Sequence, residues 1–141
     1  MKHLITFICL VLLSIAGTQN AQAQTKEETI AWIKEKLEKH GGSHRSNLSN
    51  IQVSPCSIYF VATYNDGDKF NTSFNPSTTK TWIAEKHAIY AEAQIIRWES
   101  KGKAGATTEL FIRNGESDIH ERMIKALKHL ATFCEKKKEA F

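Results

Sequence analysis

The chain has 141 residues, 41% of them hydrophobic and 24% charged, with a formal net charge of +4, which is one domain's worth of sequence. Positive charge this slight, spread along the chain rather than gathered on one face, excludes a nucleic-acid-binding surface as the leading reading.

In chain order, the first segment is MKHLITFICLVLLSIAGTQNAQAQ. Lys2 and His3 form a basic start, Leu4 to Ala16 an apolar run, and Ala21-Gln22-Ala23 an A-x-A site. That order predicts a secretory signal peptide over residues 1–23; the apolar run is short for a membrane anchor. Cys9, inside the run, lacks the small-residue context of a lipid-attachment site. Cleavage there leaves 118 residues from Gln24, with 18 Lys and Arg against 15 acids. The rest of the chain holds no apolar run of membrane length, so no membrane span is expected in the mature protein, and its location is exported, periplasmic or extracellular.

TKEETIAWIKEKLEKH predicts a helix: Thr25 and Glu28 fit a capping box, and Ile30, Ile33 and Leu37 recur at helical spacing with Trp32 beside them. Lys39 and His40 suit its C-terminal dipole, and Gly41-Gly42 stops it. SHRSNLSN, polar and turn-rich, reads as a loop. In IQVSPCSIYFVATY the period becomes two, with Cys56, Ile58, Phe60, Ala62 and Tyr64 on one side and Ser57, Tyr59, Val61 and Thr63 on the other. Pro55, which has no N–H to donate, marks an edge, bulge or break between two strands. NDGD reads as a hairpin turn rather than a calcium loop, whose remaining ligands are missing. KFNTSF is the returning strand, ended by Asn75-Pro76-Ser77.

Between Thr79 and Ser100 composition and pattern disagree. Alanine, glutamate and lysine favour a helix across the middle. Alternation favours strands, a short one near Thr79–Ala84 and a long one over Ile89–Ser100, and strands are expected here. KGKAGA then reads as a flexible turn and TTELFIRN as a further strand closed by Asn114-Gly115. In the last element Asp118 and Glu121 have capping-box spacing. Ile119, Met123, Leu127, Leu130 and Cys134 share one helical side, and Lys136, Lys137 and Lys138 crowd the end.

Beyond the signal segment only Cys56 and Cys134 remain, 78 residues apart. An even count in an exported chain favours a disulfide. Here it would staple the buried stripe of the last helix to the core face of a strand; the alternative is two free cysteines packed as small hydrophobes. No C-x-x-C pattern points to zinc or to thioredoxin-like redox chemistry.

No residue pattern carries a catalytic assignment. G-x-S-x-G is missing, the acids form no glycosidase-like pair, and a thiol on an apolar stripe is a poor nucleophile. His40 and His44 flank the Gly-Gly turn, whereas His120 and His129, nine apart, fall on opposite sides of one helix, so no metal site and no cofactor is expected. Asn47-Leu48-Ser49 and Asn71-Thr72-Ser73 match the glycosylation sequon, which matters only in a glycosylating host.

The aromatic residues are the remaining lead. Tyr59, with Tyr90, Ile96 and Trp98, points away from the presumed core, and this second apolar face needs a cover, expected to be the N-terminal helix; the alternative is an exposed binding face. Tyr59, Trp82 and Trp98 are the candidate ligand-binding residues. The ligand class stays open between a small molecule, a lipid and a protein.

The closing helix carries R-x-x-K-A-x-x-H-L as Arg122, Lys125, Ala126, His129 and Leu130. Over about the last 25 residues the chain thereby resembles small secreted proteins of Bacteroidetes-type bacteria. The order helix, antiparallel strands, helix is similar to a pleckstrin-homology-like roll, apart from the helix that precedes the sheet. That resemblance implies a binding module rather than an enzyme and brings no catalytic residue.

The expectation is therefore an α+β domain over residues 24–141: an N-terminal helix, an antiparallel sheet of about five to seven strands bent as a roll, and a C-terminal helix packed on the sheet. Its expected role is that of an exported, non-enzymatic binding module, with a small hydrolase or a structural or assembly subunit as alternatives.

Overall fold

The computed structural model describes residues 24–134. The expected signal peptide, with Cys9, and the lysines at 136–138 lie outside the described residues. The element order is α1 (Lys26–His40), β1 (Ser46–Ser54), β2 (Ser57–Tyr64), β3 (Lys69–Phe74), a 3-10 turn (Pro76–Thr78), β4 (Trp82–Ala84), β5 (Ala88–Ala91), β6 (Ile96–Ser100), β7 (Lys103–Thr107), β8 (Glu109–Phe111) and α2 (Ile119–Thr132). Among the described residues, no helix is long and apolar enough to cross a membrane.

The protein is α+β. A five-stranded antiparallel sheet has the order β1-β2-β3-β6-β7, and a three-stranded one the order β4-β5-β8. The chain leaves the larger sheet at Phe74, lays down β4 and β5, and returns as β6 beside β3. It leaves again after β7, and β8 completes the smaller sheet on β5.

Local chemistry explains most boundaries. The capping box of α1 is present: the Glu28 N–H donates to Thr25 Oγ1 (3.2 Å) and the Thr25 N–H to the Glu28 carboxylate (2.8 Å). Pro55 and Cys56 form the two-residue turn between β1 and β2, whose ends pair as Ser54 with Ser57. The NDGD turn joins β2 to β3, with Gly67 at φ +88°.

α1 packs along β1 of the larger sheet, whereas α2 packs against β4 and β5 of the smaller sheet, the 3-10 turn and α1. Ile33 and Leu37 of α1, and Met123, Leu127 and Leu130 of α2, share one hydrophobic cluster with Ile58, Phe60 and Phe74 and with Ile89 and Leu110 of the smaller sheet. The inward side of the closing helix is thus buried, as its spacing requires. Cys56 and Cys134 are bridged, with their Cα atoms 4.9 Å apart. The bridge does not sit in the core: Cys56 is exposed in the β1–β2 turn, and Cys134 is half-buried beyond the end of α2. It ties the helix terminus to the hairpin tip.

Five further expectations are corrected. Ser46–Asn50 is strand, not loop; a bulge between Ser49 and Gln52, with Asn50 at φ +51°, shifts the inward phase from Ser46 and Leu48 to Ile51 and Val53 and so hides the alternation. Residues 89–100 form two strands in different sheets, because the chain turns at 92–95, where the Ile95 N–H donates to the Ala93 carbonyl (2.8 Å). KGKAGA is mostly β7, with only Lys101-Gly102 turning and Gly102 at φ +73°. Asp118 makes no capping bond; its backbone is left-handed at φ +56° instead of the extended conformation from which an N-cap side chain reaches the first turn. Finally, α1 does not cover the Tyr59 side of the sheet but joins α2 on the inner side. That outer side is less apolar than expected because Ile96 faces inward, 1% exposed.

Candidate functional site

The break at 92–95 puts Trp98 on the inner side of the larger sheet, two residues after buried Ile96. There it continues a row of aromatic rings across the strands. Tyr64 of β2 meets Phe70 of β3 edge to face at 5.3 Å, and Phe70 meets Trp98 of β6 at 5.5 Å. The row ends on Gly105 of β7, directly opposite Trp98 in the ladder. A Cβ on Gly105 would lie 2.5 Å from Trp98 Cζ2, so the indole rests on bare backbone. Glycine is required here for room rather than for its dihedral freedom.

These rings wall a half-open cavity of about 230 Å³. Phe60 and Ile96 from the larger sheet and Leu110 and Phe111 from β8 supply its apolar lining. Gly42 closes one end: its N–H donates to the Phe111 carbonyl (3.0 Å), pinning the α1–β1 turn to β8. At φ +95° and with the Ser46 carbonyl where a Cβ would be, this position also excludes side chains.

Three hydroxyls at the wall are committed within the protein. Ser46 Oγ accepts from the Ser43 N–H (3.0 Å), Thr107 Oγ1 from the Glu109 N–H (3.2 Å), and the Thr72 hydroxyl donates to the Phe70 carbonyl (3.4 Å). Glu109, at the cavity wall, also acts on Tyr90, its neighbour across β5. Burial first, then the Glu109 and Glu85 carboxylates, raise the Tyr90 pKa. The interior is thus suited to a group that asks for contact rather than hydrogen bonds.

The three residues singled out from the sequence are separated. Trp98 lines the cavity. Tyr59 lies on the outer side of the same sheet, its hydroxyl donating to Asn71 Oδ1 (3.1 Å). Trp82 is core, 6% exposed and edge to face with Phe74 at 5.9 Å, and its Nε1–H has no hydrogen-bond partner. Sequence reasoning missed Phe70, Gly105 and the β8 residues. The alternation Phe70, Thr72, Phe74 was visible; what was not visible is that β6 returns beside it.

The densest charge cluster lies elsewhere. Glu116, just before α2, takes Lys36 Nζ (2.7 Å) and His40 Nε2 (3.2 Å) on one carboxylate oxygen and Arg122 Nη1 (3.3 Å) on the other. The Lys36 and His40 hydrogen bonds hold its pKa down at about 2, against an ordinary 4.5. The same Glu116 bond raises the Lys36 pKa, although burial opposes it. Lys36 and Arg122 also flank the Trp32 ring, at 5.8 and 5.3 Å from its centroid. His40 and Glu116 therefore meet the distance for a proton-transfer pair, but their carboxylate is saturated by cations and neither lines the cavity. His120 is used structurally, its Nε2–H donating to the Ile112 carbonyl (2.8 Å). Among the described residues no group of three or more His, Cys, Asp and Glu side chains is gathered to hold a metal ion.

Comparison of the chain with protein-family models, with curated proteins and with solved structures gives no match.

Proposed function

We propose that the protein is an exported, non-enzymatic binding module whose cavity takes one apolar group of its ligand. The observation that carries this reading is the cavity itself: half-open, walled by Phe60, Phe70 and Trp98, with the Ser46, Thr72 and Thr107 hydroxyls engaged within the protein. A well-formed apolar recess with a few polar groups at its margin is the usual form of a small-ligand site. The cavity contains no histidine or cysteine, which favours binding over hydrolysis. Export is supported by the signal-peptide pattern of residues 1–23 and by a disulfide, which persists in oxidising compartments.

Titration with indole, followed by amide and indole N–H chemical shifts, tests the reading. The expected result is saturable shifts confined to the cavity wall, Phe60, Phe70, Ile96, Trp98 and β8 among it, with Trp98→Ala weakening binding about tenfold or more, as loss of a large apolar contact implies. Shifts scattered over the surface, or unchanged binding by Trp98→Ala, would overturn it.

A further inference from the structure

We infer that the free edge of β7 receives an extended peptide as a sixth strand, with one apolar side chain of that peptide lodged against Trp98 at the cavity. The inference rests on the binding reading above and gives the ligand its chemical class.

The edges of the two sheets are treated differently. The edge of β1 is bent by its bulge and backed by α1, and β4, the other outer strand of the smaller sheet, is only 3 residues long. The edge of β8 is occupied, through the Gly41–Ile112 bridge and the Gly42 N–H to Phe111 bond. By contrast, β7 pairs with β6 along one side, and among the described residues no strand pairs with the other. In an antiparallel ladder alternate N–H and C=O groups point away from the partner, so this side offers both to an incoming strand. Its side chains leave the approach open: Ala104, Gly105 and Ala106 are small, and the one long side chain, Lys103, stands at the end.

Gly105 links that edge to the cavity. Residues directly opposite in a ladder share a face, so Lys103, Gly105 and Thr107 face inward with Ser100, Trp98 and Ile96. With no side chain at 105, the Trp98 ring extends over β7 and is left half-buried at the cavity wall. An inward side chain on a sixth strand beside Gly105 would meet that ring. The cavity, at about 230 Å³, falls short of the drug-sized range and matches the scale of one large apolar side chain. Main-chain bonds plus pockets for alternate side chains are how strand addition achieves affinity and specificity.

A second copy is the poorer occupant. Antiparallel pairing of β7 with itself would bring Lys103, Gly105 and Thr107 to the inner side, none of which fills an apolar recess.

The test uses the blocked peptide acetyl-Thr-Thr-Leu-Thr-Thr-amide, its Leu→Ser counterpart, and two N-methylated versions, one methylated at residues 2 and 4, the other at 1, 3 and 5. Binding is read by chemical shifts and by indole displacement. The leucine peptide is expected to displace indole and to bind about tenfold or more tightly than the serine peptide. Only one methylated version should lose binding, because strand addition uses alternate amides. Equal binding of leucine and serine peptides, equal behaviour of both methylated versions, or protection of β7 amides in a peptide-free dimer would overturn the inference. If indole binds and the leucine peptide does not, strand addition is wrong and the cavity reading stands; if neither binds, both fall.

Discussion

Replacing both cysteines, Cys56→Ser with Cys134→Ser, measures the cross-link almost alone. Cys56 is exposed in a turn and Cys134 half-buried past the helix end, so neither substitution opens a core cavity or buries a hydroxyl, the two effects that usually confuse such an experiment. What is lost is the constraint on the unfolded chain. The bridge spans 78 residues, and the chain-entropy relation then gives about 4.5 kcal/mol at room temperature. Stability of a domain this size is about 5–15 kcal/mol, so the double-serine protein should remain folded in the cold but lose about 15 °C of melting temperature. Urea unfolding by circular dichroism, at matched pH, checks this. The slope against urea should also rise, since an unbridged chain expands further on unfolding. A loss below about 1 kcal/mol with an unchanged slope would refute the reasoning, because the bridge would then be constraining nothing the unfolded state does not already constrain.

Glu116→Gln should change the acid limb of stability. The folded pKa of about 2 lies below the ordinary 4.5, so the carboxylate contributes fully above about pH 4.5, and its contribution is lost as pH falls toward 2. The variant should be less stable at neutral pH, where it leaves Lys36, with only 10% of its side chain exposed, to the more distant Glu35 carboxylate (3.4 Å) alone; its decline between pH 4.5 and 2 should be shallower. Urea midpoints over that pH range report both. Two glycine substitutions should differ although both positions have positive φ. Gly67→Ala meets open space and should cost about 1 kcal/mol, whereas Gly42→Ala would drive a methyl into the Ser46 carbonyl and should cost more than about 2 kcal/mol. Thermal melts of the two variants check the ordering.

Periodicity made the fold class legible wherever one face of an element is buried without interruption. Met123, Leu127 and Leu130 repeat inward along α2, and Ile58, Phe60 and Ala62 alternate along β2. It failed where the phase shifts inside an element. The bulge at Asn50 breaks β1 in mid-strand, and the turn at 92–95 resets the alternation between Ala91 and Ile96. The second failure had the larger consequence, since it placed Trp98 on the wrong side of its sheet and grouped it with Tyr59. The candidate site was only partly legible for the same reason: it is assembled by the pairing of β3 with β6, a contact between residues more than twenty positions apart that neither local propensity nor pattern encodes. Asp118 shows a further limit, because capping-box spacing does not help once the residue at the cap adopts left-handed backbone.

The distribution of constraints across the molecule also bears on function. The disulfide, the C-terminal end of α2 and the β1–β2 turn gather at one place, and Met123, Leu127 and Leu130 fill the cluster beneath the helices. Among the described residues the β6–β7 hairpin has none of these supports: β7 pairs with β6 alone, its central side chains at Ala104, Gly105 and Ala106 are small, and Trp98 rests on a glycine. A small domain has little apolar surface to spare, and here Trp98 is left half-buried at a cavity although Trp82, Phe60 and Phe74 are all buried in the core. Such an arrangement costs the isolated protein burial that a ligand can restore. It follows that ligand-induced stabilisation should appear first as slowed amide exchange in β7 and β8, well before any change in α2, whose protection the covalent bridge and the core already maintain.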